Sequence, residues 1–132
     1  MFLELDHHSG IPIYRQVIGQ IQQQIMTGGL EEGEQLEAVR DLAARLKVNP
    51  MTISKAYSFL EAEGLVDRRR GIGLFVAKIR KDRKDRLKDQ LLNNVMNKAA
   101  TVAIQLRVSE DEAIEFFKKH YRAYSPVKVG GE

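Results

Sequence analysis

Cysteine is absent from the 132 residues. That excludes disulfides, thiol nucleophiles and thiolate metal sites, each of which needs a cysteine sulfur. Long apolar runs are also missing, and nothing approaches the roughly 20 residues that cross a bilayer as a helix. The opening MFLELDHHSG has no basic stretch followed by a long apolar one, so no secretory signal is expected. A cytoplasmic protein without membrane contact is the simplest expectation. Catalytic signatures are lacking too. There is no Walker-type glycine loop and no HExxH zinc spacing, and the serines, histidines and aspartates fall in segments that caps and turns explain. Neither an enzyme nor a cofactor is expected. His7 and His8, with Glu4 and Asp6 nearby, are neighbours in a loop and do not make a metal site by themselves.

What is present is an ordinary globular composition, 43% hydrophobic and 30% charged, in a length that suits one domain or a small domain with an appendage. Basic residues outnumber acidic ones 21 to 18 and the pI is near 9.2, but the excess is local. Residues 1–77 hold 8 basic and 10 acidic side chains, residues 78–88 (KIRKDRKDRLK) hold 7 and 2, and residues 89–132 hold 6 and 6. One short segment supplies the basicity, so net charge alone does not establish a nucleic-acid partner. Such a run reads as a solvated helix face, with Asp82 and Asp85 pairing locally to Arg86 and Lys88, or as a nonspecific phosphate contact.

Residues 2–6 (FLELD) alternate apolar and acidic side chains, as a short edge strand would, and residues 7–10 read as a loop. Pro12 suits a helix start. From there Tyr14, Val17, Ile18, Ile21 and Ile25 recur at helical spacing until Gly28 and Gly29. Residues 30–35 form a turn-rich acidic connector. A second helix is predicted from Val39, Leu42, Ala43 and Leu46, and a third from Ile53, Ala56, Tyr57 and Leu60, with Asn49 as N-cap and Pro50 as first residue. Two short amphipathic helices so joined form a helix-turn-helix. Residues 65–68 and 74–77 then flank Arg69-Arg70-Gly71-Ile72-Gly73, which predicts a β-hairpin with a basic tip. A long helix over about residues 82–106 follows, with Leu87, Leu91, Val95, Ala99, Val102 and Leu106 on one stripe. Ser109 to Glu112 is a capping box for a last helix carrying Phe116, Phe117 and Tyr121.

The stretch from Gly29 to Val76 resembles the DNA-binding domain of the GntR family of bacterial regulators. The matching residues are Gly29-Leu30, Gly33, Leu36, Arg40, Leu42-Ala43, Leu46, Val48, Thr52, Ala56, Leu60, Glu63 to Val66, Arg70-Gly71, Gly73 and Phe75-Val76. They cover over a third of the chain, in order and without gaps. Pro12-Ile13-Tyr14 with Gln16, Val48-Asn49-Pro50 and the short helical tail are similar to the YtrA subfamily. The resemblance implies a mainly α fold with a small β-wing, in which residues 1–77 form a winged helix-turn-helix domain. It further implies that residues 78–125 form a two-helix dimerisation tail, with residues 126–132 a flexible C-terminus. It also implies a repressor that binds a two-fold symmetric operator as a homodimer, and such regulators commonly control membrane transporter genes. The chain departs from the pattern at Glu37-Ala38, where Pro-Ser is usual, and at Met51, where asparagine is common. The first change removes a capping hydroxyl and adds a carboxylate that would repel phosphate.

The expected DNA surface follows. With the core stripe of the third helix turned inward, Met51, Ser54, Lys55 and Ser58 face the major groove, Met51 offering apolar surface to a thymine methyl. Thr52 and Asn49 lie at the helix N-terminus, which suits phosphate. Arg40 can grip a phosphate or a guanine edge. Arg69 and Arg70 join Arg68 as three adjacent arginines that repel one another unless anions are close, and Gly71 and Gly73 allow the wing backbone near the duplex. Leu87, Leu91, Val95, Ala99, Val102, Leu106, Phe116, Phe117 and Tyr121 form the dimerisation set. The effector is unknown, and about 50 residues after the wing are too few for an enclosed pocket of about 300–1,000 Å³. A winged-helix module that docks protein instead of DNA is the alternative, and three contiguous arginines count against it.

Overall fold

Four isoleucine and valine side chains draw the first helix inward. In a computed structural model that describes residues 1–124, α1 (Ile13–Thr27) buries Val17, Ile18, Ile21 and Ile25 on one face. Each is worth about 1.5–3 kcal/mol when fully removed from water. The C-terminal segment expected to be flexible lies outside the described residues. The chain divides into two units, Met1–Asp85 and the residues from Arg86 onward.

The first unit continues with α2 (Val39–Leu46) and α3 (Pro50–Ala62), and α3 packs against both α1 and α2. The turn between α2 and α3 is a Schellman closure. The Val48 N–H donates to Ala43 O at 3.0 Å and the Lys47 N–H to Ala44 O at 3.3 Å, which leaves Lys47 in the left-handed region at φ 57°. Asn49 then caps α3, its Oδ1 accepting from the Met51 N–H at 2.8 Å. Ile53, Ala56, Tyr57 and Leu60 are buried, as the spacing predicts.

The hairpin is β1 (Val66–Arg69) paired antiparallel with β2 (Gly73–Val76), in register Val66↔Val76 to Arg69↔Gly73. Its turn is Arg70-Gly71-Ile72. Residues 33–36, read from sequence as a connector, run along the free edge of β2 as a rudimentary third strand. Leu36 N–H donates to Leu74 O at 2.8 Å and Val76 N–H to Glu34 O at 2.8 Å, with a bridge from Gln35 to Phe75.

One expectation is corrected. Residues 2–6 are extended but form no strand. Their backbone groups pair with side-chain amides of α1. Asp6 N–H donates to Gln16 Oε1 at 2.8 Å and accepts at its carbonyl from Gln16 Nε2 at 2.8 Å. Glu4 exchanges the same two bonds with Gln20, and Gln24 donates to the Phe2 carbonyl. The match is geometric, since four residues advance a helix about 6.0 Å and two residues advance an extended chain about 6.6 Å. Glutamines at every fourth position therefore meet every second residue of an antiparallel segment, and Leu3, facing the other way, is buried.

In the second unit, α4 (Lys81–Gln105) continues to its C-terminus and α5 (Glu110–Tyr124) begins behind Ser109, whose Oγ accepts from the Glu112 N–H at 3.2 Å. This is half of the expected capping box. Among the described residues neither helix buries a side chain.

Candidate nucleic-acid interface

The outer face of α3 carries Met51, Ser54, Lys55 and Ser58, all exposed, with Met51 at 76%. An unbranched apolar side chain that open to water contributes nothing to the core of this chain. Thr52 is half-buried beside it. Lys55 does not stand free. Its Nζ lies 3.8 Å from the centroid of the Tyr14 ring on α1. Asn49 is exposed, but its carbonyl oxygen is committed to the cap.

The segment before α2 fixes one flank of this face. The Tyr57 hydroxyl donates to the Glu37 carbonyl at 2.7 Å, and burial, reinforced by the Glu37 carboxylate, pushes its pKa well up, so it stays a donor. The Glu37 side chain, expected to repel phosphate, is taken by Arg45 at 2.8 Å, and Arg45 Nη2 also donates to the Met1 carbonyl at 2.9 Å. Donating to the Glu37 carboxylate raises the guanidinium pKa further. The Glu37-Ala38 departure therefore has two structural results. Ala38 gives α2 no side-chain cap, and Glu37 holds Arg45, the residue that ties α2 to the N-terminal segment. Arg40 is exposed and has no hydrogen-bonding or ionic partner among the described residues.

The wing presents its three arginines unequally. Arg68 pairs with Glu61 of α3 at 3.0 Å, which raises its pKa. Arg69 lies over the Phe75 ring, 4.0 Å from the centroid. Arg70 alone is unpartnered among the described residues, at the exposed tip. The repulsion that the sequence suggested is relieved in part, because the Glu61 carboxylate offsets Arg68, while the Phe75 ring holds Arg69 with its charge intact. Gly71 sits at φ 77° in open space, a turn requirement. Gly73 has a different cause from the one expected. A Cβ there would stand 2.8 Å from Gln35 Nε2, which donates to the Ile72 carbonyl at 3.1 Å. Gln35 thus braces the wing tip, and Gly73 makes room for the brace.

Sequence reasoning saw Tyr14 only as a helix-stripe and subfamily-motif residue, missed Gln35, read Glu37 only as a repellent of phosphate, and missed Glu61. The last three act through partners 7 to 37 residues away, beyond local pattern. Within the 78–88 run Arg80 pairs with Asp82 at 3.2 Å, and Arg83 donates to the Glu63 carbonyl.

In the second unit Leu87 and Leu91 are half-buried, while Val95, Ala99, Val102, Leu106, Phe116, Phe117 and Tyr121 are exposed. Val95, Ala99, Val102, Leu106, Phe116 and Phe117 line an open cleft of about 870 Å³ between α4 and α5. Tyr121 packs against Phe117 in a tilted ring pair, centroids 5.9 Å apart. None of the described helices is long and apolar enough to cross a membrane.

A helix-turn-helix with an exposed polar face, followed by a two-stranded hairpin with a cationic tip, defines a winged helix-turn-helix protein. The family model described as bacterial regulatory proteins, gntR family, matches residues 13–76. Among curated relatives, the HTH-type transcriptional regulator YhcF of Bacillus subtilis is 36% identical over 83% of this chain and 90% of its own length. The transcriptional repressor YtrA of the same organism is 39% identical over 57% of this chain and 58% of its own length, so the match spans just over half of that relative. Among solved structures, a GntR family transcriptional regulator from Listeria monocytogenes superposes with a TM-score of 0.73 at 31% identity, covering 87% of this chain and 98% of that one. The chain belongs to the gntR family and is a DNA-binding transcription regulator.

Proposed function

We propose that the protein is a repressor of the YtrA type that binds a two-fold symmetric operator as a homodimer. The observation that carries this reading is the outer face of α3, where Met51, Ser54, Lys55 and Ser58 are exposed together on the helix that follows the exposed Arg40 and precedes the exposed Arg70 wing tip in the chain. Met51, Ser54 and Ser58 read base edges, Met51 suiting a thymine methyl. Arg40, Thr52, Arg70 and Gly71 approach phosphate, and Lys55 suits either role. Residues 1–77 serve as the DNA-binding domain and residues 78–125 as the dimerisation tail. The exposed apolar side chains of α4 and α5 support the second role, because a contiguous apolar face of this kind marks an association surface. A two-fold dimer offers one α3 to each half-site, so the half-sites are centred about one helical turn apart or a multiple of it. The compartment that follows is the cytoplasm.

Titration of labelled duplex across a salt series tests the DNA surface. Arg70→Ala should weaken operator and random duplex alike and make the slope of log affinity against log salt shallower by about 0.9. Met51→Ala should instead narrow the gap between the two duplexes, by about 1–3 kcal/mol for a strong base contact. An unchanged slope in Arg70→Ala removes the wing from the interface. Sedimentation tests assembly. A clean species of 15.0 kDa at micromolar concentration refutes the homodimer, and Phe117→Asp should shift a dimer toward that mass.

A further inference from the structure

Lys55 lies four residues after Met51 and three before Ser58, so its Cα is central on the exposed face of α3. Its ammonium is not central. It is drawn sideways over Tyr14, with Nζ 3.8 Å from the ring centroid. The Arg15 guanidinium stands 5.7 Å from the same ring. Tyr14 is well placed to hold them. It is half-buried, one turn ahead of the buried Val17 and Ile18, on a helix packed against α3. Neither cation has a carboxylate partner among the described residues.

A ring face attracts a cation without neutralising it, and it restricts the long lysine chain that would otherwise sample many directions. Where the ammonium is held decides what it can touch. Drawn toward α1, it leaves the middle of the face to Met51, Ser54 and Ser58. It also comes to share a ring with a second positive charge, an arrangement relieved by an anion near both and not by the neutral edge of a base pair. We propose that Tyr14 is a positioning residue whose ring holds Lys55 beside Arg15, so that the two cations grip the DNA backbone instead of a base. The inference rests on the reading of α3 as the DNA-facing helix and resolves the role of Lys55 within it.

Duplex titration across a salt series, on operator and random sequence, tests the proposal with Lys55→Gln, Tyr14→Leu, Tyr14→Phe and the Tyr14→Leu/Lys55→Gln pair. Lys55→Gln should weaken both duplexes equally and make the slope shallower by about 0.9. Tyr14→Leu should weaken both by about two- to fivefold, and Tyr14→Phe, which keeps the ring, should bind as the wild type does. In the Lys55→Gln background Tyr14→Leu should cost nothing further. The proposal is overturned if Lys55→Gln narrows the operator-to-random gap, which would make Lys55 a base reader. It is equally overturned if Tyr14→Phe is as weak as Tyr14→Leu, or if the Tyr14→Leu loss persists without Lys55. Arg70→Ala in the same series separates the two levels. If it keeps its effect while Lys55→Gln is silent, only this inference fails, whereas silence in both removes the DNA surface itself.

Discussion

Gly73 is where the wing tolerates a side chain least, and Gly73→Ala separates two reasons for that. The backbone there has φ 146°, and an added Cβ would lie 2.8 Å from Gln35 Nε2. A positive φ of this size costs an L-residue about 1–3 kcal/mol. The collision is cheaper, because the obstructing atom ends a flexible side chain that can swing away. It then forfeits its 3.1 Å bond to the Ile72 carbonyl, worth about 0.5–1.5 kcal/mol. Gly73→Ala should therefore lose about 1.5–4.5 kcal/mol in all, and Gln35→Ala alone only the smaller part. Chemical denaturation of both single variants and the pair gives a double-mutant cycle. Since the bond is lost in either case, the pair should match Gly73→Ala to within roughly 0.5 kcal/mol. If the pair recovers to the level of Gln35→Ala, the backbone relaxes freely, the cost was the collision, and the argument from φ is wrong.

Three further outcomes follow from the same geometry. Lys47→Gly relieves a left-handed lysine at φ 57°, about 1–2 kcal/mol, against about 0.5–1 kcal/mol of glycine entropy. The melting temperature should rise, and a fall would show that the Lys47 side chain contributes a contact. Gln20→Leu removes both bonds to the Glu4 backbone. It should cost about 0.5–2 kcal/mol and speed amide exchange at Glu4 but not along α1, while unchanged exchange at Glu4 refutes the glutamine ladder. Glu61→Gln releases Arg68 from its 3.0 Å pair. Binding to random duplex should tighten and the salt slope steepen by up to about 0.9, and a constant slope would mean that Arg68 does not face DNA.

The helices and the wing were legible because their signals are local. Val17, Ile18, Ile21 and Ile25 keep the 3.6-residue period, Asn49-Pro50 marks a helix start, and Gly71 marks a turn. The N-terminal segment was misread because alternation of apolar and polar residues specifies an extended chain with one buried face, not what satisfies its backbone. A strand edge and a row of glutamines satisfy it equally well. The signal that distinguishes them was in another segment, the spacing Gln16, Gln20, Gln24, which reads on its own as the polar face of a helix. Residues 33–36 were missed for a related reason. Their pairing to β2 is set by where the chain returns after α3, and no local pattern encodes that. The exposed tail residues show the converse. Periodicity put Val95, Val102 and Leu106 on one stripe, but one chain buries none of them, because a stripe names a face and not its occupant.

The charge pattern explains how a domain with more acidic than basic residues can present a cationic surface. Net charge counts every pair, whereas DNA meets only what stands free. Of the basic residues in the first 77, Arg45 and Arg68 are each tied to a glutamate, Glu37 and Glu61. Lys55 and Arg69 rest instead on aromatic rings, Tyr14 and Phe75. The two kinds of partner differ in consequence. A carboxylate positions a cation and cancels its field, while a ring positions it and leaves the charge intact. Rings hold the lysine of α3 and one arginine of the wing, and Arg40 and the tip arginine have no partner among the described residues. The arginine that clasps the N-terminal segment to α2 has a carboxylate. Glu37 and Glu61 are two of the ten acidic residues in the first 77, and on the proposed reading of α3 and the wing as the DNA surface it is the cations left uncancelled there, more than the pI, that attract phosphate.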